Sequence, residues 1–599
     1  MTMPELPDAL AQDPTHPRPQ LVRHHWQDLG GEWDFAVTDV RVTSPSDVTF
    51  DRRIVVPFPP ESPASGVHET GFLGAVWYRR TVDREDLERA GLSESRDRVL
   101  LHLGAVDHAA RVWLNGQLVA THVGGQTPFT ADLTDVLDVH GDNVLVVRAV
   151  DPPQDVSVPR GKQDWLEQPH VIWYHRTTGI WQPVWLECVG DVAVAALTWT
   201  ADVPTATVSL DVRLTGHLEP GARVRAALRH EGVLLAEASV STLGDPDVGI
   251  RLVLPRQRNG QQHEDLLWIP EHPTLLDAAV VVEDAQGSAV DLVGSYLGLR
   301  TTGVGDDHFL LNDRPLVVRA VLAQNYWPET HLAATDAMLR REVELILSLG
   351  FNTARVHQKA EDPRFLYWAD RLGLMVWAET ANAYAFDARA VRHLVTEWTD
   401  LVVRDRSHPS IVTWVPLNES WGVQHISHDP RQQAYSRSLA DLTRALDGTR
   451  PVVSNDGWEH TSSDLWTVHD YESDPGVLAK RYADRGAVDA LVAGVGPAGR
   501  RLSAGQPAGR RPVLLTEFGG VSLAAGGSED WGYSTASDAE ALEDQVGGIL
   551  RAVTSSRALA GFCYTQLTDT GQETNGLLTA GREPKIPVER VRRLVRGGS

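Results

Sequence analysis

From about residue 303 onward the chain alternates short apolar, β-branched runs with stretches of helical period, and this alternation limits the fold more than any other feature. Eight candidate strands begin near Val317, Asn352, Leu374, Ile411, Val452, Trp466, Val513 and Phe562. Helix signals lie between them. Thr335 can cap a helix whose apolar positions Met338, Val343, Ile346, Leu347 and Leu349 stop before Gly350. Asp362-Pro363 opens another at its N-cap and first helical position, and Gly373 closes it. Eight strands, most separated by helix, over roughly 295 residues are what a closed (β/α)8 TIM barrel requires, and one is predicted for residues 303–599.

The residues ahead of the barrel carry no helical period. Trp33-Asp-Phe35, Val76–Arg80, Val99–Leu103, Arg111–Leu114 and Asn143–Arg148 are strand-like runs separated by turn signals such as Asn115-Gly116 and Gly141-Asp142. They predict a β-sandwich over residues 1–190, whose Pro-rich first 20 residues or so read as an extended arm. A second all-β segment over 191–302 contains Val208–Leu214, which alternates with period 2, and the runs Ala222–Leu228 and Ala278–Glu283. An immunoglobulin-like sandwich without a disulfide fits it, because the only cysteines in the chain are Cys188 and Cys563. Two cysteines also exclude a cysteine-rich metal site.

With 80 acidic against 55 basic residues, the formal charge of -25 gives a field that repels nucleic acid and anionic membranes. The start lacks a basic and apolar leader pattern and no run reaches the ~20 apolar residues of a membrane span, so a cytoplasmic protein is the expectation.

Two apolar runs finish on a glutamate, Ile411–Glu419 and Pro512–Gly520, the latter through Glu517. In a barrel the loops after the strands form the working face. Counting strands, Glu419 ends the fourth and Glu517 the seventh, across the mouth from one another. Two carboxyl groups ~5 to 5.5 Å apart are what retaining glycoside hydrolysis uses, one as acid/base and one as nucleophile. Glu419, with Trp414 and Trp421 nearby in sequence and a second carboxylate as neighbour, suits the protonated acid. Arg355, ending the second strand, and Tyr471, ending the sixth, are candidates to hold Glu517 ionised. The 19 tryptophans, against 11 phenylalanines, have two uses: interdomain cores, or flat faces that stack on sugar rings.

Nearly the whole chain resembles glycoside hydrolase family 2, the family of β-galactosidases, β-glucuronidases and β-mannosidases. The resemblance rests on Arg18–Arg23, Leu29–Phe35, Val56–Ser62, Val76–Arg80 and Thr177–Trp181, and in the barrel on His408–Trp414, Asn418-Glu-Ser420 and Thr516–Gly519. It implies a jelly-roll domain, an immunoglobulin-like sandwich and a barrel in that order. It also implies Glu419 as acid/base, Glu517 as nucleophile and Asn418 as a contact to the sugar 2-hydroxyl.

Departures from the family pattern bear on the substrate. Where many members read Arg-x-Ser-His, this chain reads Arg355-Val-His357-Gln358-Lys359. The Asn-x-Lys tripeptide with which glucuronidases bind the substrate carboxylate does not occur, so glucuronides are disfavoured. The Glu-x-His magnesium ligands of the large galactosidases are not matched either, and neither metal nor cofactor is expected. His357, Gln358, Asn382, Trp458 and Asp470 lie on strand-following loops as candidate sugar contacts, together with Arg355 and Tyr471. Gln566 sits at the eighth strand end, where related barrels often carry tryptophan, and Trp173 and Tyr174 are candidates to reach the mouth from the first domain. Of two stretches that interrupt the barrel rhythm, 483–511 and 521–537, the second follows the seventh strand and is the better placed to shape a pocket.

The resulting expectation is a retaining exo-β-glycosidase of β-galactosidase type acting on an oligosaccharide or glycoside. β-Mannoside, β-glucoside, and pentose or furanose substrates stand as alternatives. Outside enzymes the alternative is an inactive carbohydrate-binding protein, against which the presence of both glutamates speaks. No nucleic-acid or membrane partner is expected, and a homo-oligomer stays possible.

Overall fold

The computed structural model describes residues 16–93, 97–507, 509–524 and 531–598. Most of the Pro-rich arm and the Gly526-Gly527 pair lie outside the described residues. The first sandwich shares one core between two antiparallel sheets. One has the order Gln27–Asp28, Val184–Val189, Arg98–Leu103, Phe129–Asp132, and the other runs Arg52–Val56, Gly31–Thr38, Ala75–Val82, Asn143–Val150, Ala109–Leu114, Gln117–Val123. Strand alternation turns Trp33, Phe35, Tyr78, Leu101 and Val147 inward, all fully buried.

The second sandwich packs Ala193–Asp202, Thr207–Thr215 and Asp247–Val253 against Val233–Ser241, Arg223–His230, Leu276–Glu283 and Ala289–Leu297. Val208, Leu210, Val212 and Leu214 point into this core while Ser209, Asp211 and Arg213 are exposed, the period-2 pattern of a half-buried strand. The segment around residues 18–23 ties the parts together. Arg23 donates to Glu187 at 2.6 Å and to Asp291 at 2.8 Å, one in each sandwich, and Gln20 reaches the barrel at Ser407 O, 3.3 Å away.

The barrel sheet contains seven parallel strands in the order Ile411–Val415, Met375–Glu379, Thr353–Val356, Val318–Ala323, Gly561–Thr565, Val513–Gly519, Trp466–Asp470. The fifth expected strand, near Val452, is the exception. Its segment lies parallel to the fourth strand only through bridges at Trp414/Val452 and Asn418/Asp456. On its other side polar side chains replace the ladder: Ser454 N donates to Ser463 Oγ at 2.8 Å and Gly457 N to Thr467 Oγ1 at 3.0 Å. Short polar side chains of this kind compete with regular sheet pairing.

The helices start where the capping residues place them. Thr335 caps Asp336–Ser348, Asp362 with Pro363 opens Pro363–Leu372, and Gly373 ends that helix at φ 81°. Their apolar faces, with Leu339, Val343, Ile346, Phe365 and Leu366, pack around the barrel in its largest core.

Candidate active site

Glu517 lies inside its strand, Val513–Gly519, whereas Glu419 lies on the turn beyond Ile411–Val415. Glu419 and Ser420 both hold left-handed backbone, at φ 51° and 60°, which costs on the order of 1 kcal/mol or more for such residues. Three hydrogen bonds hold the turn: Glu419 N to Asp456 O at 3.0 Å, Ser420 N to Asn455 Oδ1 at 2.9 Å, and Trp421 N to Asn418 O at 2.9 Å. The result aims the Glu419 carboxyl back across the mouth. One oxygen of Glu419, one of Glu517 and a ring nitrogen of His469 all lie within 4.8 Å of one another.

The surroundings of the two carboxyls differ. Glu517 Oε1 accepts from Arg355 Nη1 at 2.7 Å, and its Oε2 accepts from the Tyr471 hydroxyl. Burial alone pushes the Glu517 carboxyl up, but the charges of His469 and Arg355 and the Tyr471 hydrogen bond hold it at about 2. Glu419 is pushed above the usual carboxylate range by burial and by the negative charge of Glu517. Its side chain is 19% exposed against 5% for Glu517, so it is the carboxyl open to the cleft. One carboxyl is thus held ionised while the proton affinity of the other is raised, a division suited to nucleophile and acid.

Beneath the pair lies a buried charge network that sequence patterning did not find. Arg355 also donates through Nε to Glu379 Oε1 and through Nη2 to Asn418 Oδ1 at 2.7 Å, and pairs with Asp456 at 3.0 Å. His469 faces Glu419 through Nδ1 at 2.7 Å and Asp456 through Nε2 at 3.0 Å, with Glu517 at 3.6 Å. Burial pushes the imidazole down, yet Glu517, Asp456 and the bonds to Asp456 and Glu419 raise it to about 10. His469 therefore carries a proton on each nitrogen. Among the described residues Glu419, His469 and Glu517 form the one grouping with metal-ligand spacing.

The other sequence-predicted residues divide by what their polar atoms already touch. Asn418 Nδ2 is buried without a partner, as is the Trp458 Nε1 beside His469. His357 is neutral, lowered by burial and by Arg355, and its Nδ1 meets Glu379 at 2.9 Å. Gln358 and Asn382 are spent on each other. Gln358 Nε2 donates to Asn382 Oδ1 at 3.1 Å, Asn382 N donates to Gln358 Oε1 at 2.9 Å, and Asn382 Nδ2 is used by Pro416 O. Asp470 accepts from Arg481 and from the Tyr482 hydroxyl, while Gln566 bonds Gln324 and Asn575. These four side chains brace the rim, and each of the Gln358, Asn382 and Gln566 amides has one N–H bonded to a neighbouring loop, leaving its second N–H as the donor with which it would read a sugar hydroxyl.

Trp173 lines the cleft from the first domain, but Tyr174 does not. It is buried, with its ring stacked on Tyr326 at 4.3 Å. The loop after the seventh strand brings Tyr533 onto Tyr471, with ring centroids 3.2 Å apart. The stretch 483–511, expected to be the lesser contributor, also reaches the mouth. It contains the helix Arg485–Ala493 and then folds back along the fifth segment through the His460/Ser503 bridge, placing Pro497, Ala498 and Arg500 beside the cleft.

Comparison with known proteins gives two domain matches. Residues 48–186 match the sugar binding domain of glycosyl hydrolases family 2, and residues 302–542 match the TIM barrel domain of the same family. A β-galactosidase of Thermoanaerobacter pseudethanolicus is 24% identical over 392 residues, covering 64% of this chain and 49% of that protein. A β-glucuronidase of Canis lupus familiaris is 25% identical over 418 residues, covering 65% of this chain and 60% of that protein. The chain thus spans 49% and 60% of the length of these two relatives. Among solved structures, a β-D-glucuronidase of Dictyoglomus thermophilum has a TM-score of 0.74 at 18% identity, covering 97% of this chain and 98% of that one. A β-galacturonidase of Eisenbergiella tayi has a TM-score of 0.73 at 19% identity, covering 98% and 99%. At these identities the likeness shows a shared fold.

Proposed function

The chain belongs to glycoside hydrolase family 2, and on that premise we propose that it is a retaining exo-β-glycosidase. The observation that carries this reading is the carboxyl pair with oxygens within 4.8 Å and opposite proton affinities. Glu517, ionised and aligned by Arg355 and Tyr471, attacks the anomeric carbon while Glu419 gives its proton to the leaving oxygen. Glu419, now a carboxylate, then takes a proton from water, which releases the sugar with its original configuration. The unpartnered Asn418 Nδ2 is a donor for the hydroxyl next to the anomeric carbon.

The terminal sugar is neutral and galactose-like. The cations around the mouth already have carboxylate partners: Lys162 has Glu573 at 3.2 Å, Arg500 has Glu459 at 2.8 Å, and Arg481 has Asp470. A uronic acid would bring a further carboxylate that has to compete with Glu573, Glu459 or Asp470 for these cations. A panel of nitrophenyl β-glycosides tests the reading, with the anomer first released followed by NMR. Fastest turnover is expected on the galactoside and slowest on the glucuronide, with β-anomer released first. A glucuronide that leads the panel would overturn the sugar, and no turnover of any member would favour a carbohydrate-binding protein.

A further inference from the structure

Two hollows of about 460 Å³ each meet at Glu419, and their linings differ in chemistry. One presents the charged or polar His469, Asp470, Glu472 and Arg481, with Tyr471 under the Tyr533 ring, the ring of Trp458, and Pro497 and Ala498 at its edge. The other presents the half-buried rings of Trp165, Trp173, Tyr384 and Trp421, and beyond Glu419 its polar side chains are Ser420, Gln424 and Arg500. Resting on the family reading above, the position of Glu419 between them assigns a side to each. Tyr471 and His469 both face Glu517, so the sugar whose anomeric carbon Glu517 attacks belongs to the polar hollow. The group that receives the Glu419 proton then leaves into the other. We propose that this aromatic hollow is the leaving-group subsite and that it takes an aryl aglycone.

The rings form one preorganised wall. Trp165 meets Trp173 edge-on at 4.8 Å and Tyr384 at 5.1 Å, Tyr384 meets Trp421 at 5.5 Å, and the Trp173 and Trp421 planes lie within 28° of each other. Two of the four come from the first domain and two from barrel loops, and hydrogen bonds to backbone carbonyls lock the two sources together. Arg160 N and Gly161 N donate to Asn382 O, the Tyr384 hydroxyl donates to Gly161 O, and Gln572 Nε2 donates to Trp173 O at 2.9 Å. Gly161 has φ 56°, and a Cβ there would collide with Gln358 O, so the two segments approach as closely as backbone allows. A wall held this way loses little freedom on binding a flat ring. Its few polar side chains could not satisfy the several hydroxyls of a second sugar, and unsatisfied hydroxyls weigh against burial there. An aromatic ring asks for none of them and gains offset or edge contacts with the indoles.

Trp165→Leu and Trp173→Leu keep apolar bulk but remove the flat face. For each variant kcat/KM is measured on a methylumbelliferyl β-galactoside, on lactose and on methyl β-galactoside, with thermal midpoints alongside. The aryl-to-methyl ratio is expected to fall about 3- to 10-fold from wild type, mainly through KM. A loss equal on all three substrates would overturn the assignment by placing the wall on the sugar side. So would a loss largest on lactose, which would make the hollow a second sugar site. Calorimetric titration of the full chain with 2-naphthol needs no turnover, and so separates failure of the subsite from failure of the glycosidase reading. Binding that weakens in Trp165→Leu supports the subsite, and absence of binding to wild type overturns it.

Discussion

His469 Nδ1 lies 2.7 Å from Glu419 Oε1, while the other ring nitrogen lies 3.0 Å from Asp456 Oδ2. A cation therefore stands between a carboxyl proposed to exchange its proton in every cycle and one that stays ionised throughout. It stabilises the carboxylate that Glu419 becomes after protonating the leaving group. It also stands 3.6 Å from Glu517, so one imidazolium acts on both reacting groups.

Removing that cation gives a prediction with a sign. In His469→Asn both carboxyls lose a positive neighbour, so both proton affinities rise. The acidic limb of kcat/KM, set by Glu517, and the alkaline limb, set by Glu419, are expected to move to higher pH together. The groups that remain around the site, Arg355, Asp456 and Glu379, are unchanged in number. Limbs that stay in place in the variant would show that His469 does not act on the pair.

Glu517→Ala is expected to lower turnover by about 10³-fold or more. Azide or formate should restore part of it by occupying the vacated space, giving a product of opposite anomeric configuration. Product NMR checks this. Full activity in the variant would remove Glu517 as nucleophile.

For Glu419→Gln the informative quantity is the dependence on leaving group. Acid assistance is worth about 10² to 10⁴-fold, and a nitrophenolate needs little of it. Alkyl glycosides should therefore lose far more than nitrophenyl glycosides. Equal losses would mean that Glu419 is not the proton donor.

Gln358→Ala separates bracing from recognition. Both ends of the Gln358 amide are bonded to Asn382, whose Oδ1 also receives Asn418 N at 3.0 Å. Leaving these buried groups unpaired should cost about 1 to 3 kcal/mol of stability. The ratio of rates on epimeric glycosides is expected to stay fixed if bracing is the role of the side chain, because both ends of its amide are oriented by Asn382. A shifted ratio without a fall in thermal midpoint would reverse this assignment.

Arg23→Ala probes the joint between the domains. Arg23 and Glu187 are buried, and the change leaves Glu187 and Asp291 without their shared cation. Breaking a buried pair from one side costs about 3 to 5 kcal/mol, to be read by denaturant unfolding. Burial pushes the Glu187 carboxyl up, but Arg18 and Arg23 hold it well below its ordinary value. Its share of stability is therefore present above the unfolded-state value and lost as acid protonates it. In the variant this acid sensitivity should shrink.

Features that depend on neighbours along the chain were legible before folding. Period-2 runs such as Val208–Leu214, the caps at Thr335 and Asp362, the stop at Gly373 and the two glutamates closing apolar runs are local signals, written within a turn or a strand. Tertiary structure decided what depends on residues far apart in sequence. His469 and Asp456 sit in unremarkable stretches, and nothing near them in the chain shows that they join Glu419, Arg355 and Glu517 in one buried charge network. The fifth barrel segment departs from a regular strand because Ser454, Ser463 and Thr467 meet across it, and the aromatic wall exists only where two domains touch. Gln358, Asn382 and Gln566 stand on mouth-facing loops, which the sequence shows, but that each amide also bonds a neighbouring loop is visible only in the fold. Backbone periodicity is a local property of the chain, whereas charge environment and hydrogen-bond commitment are set by long-range neighbours.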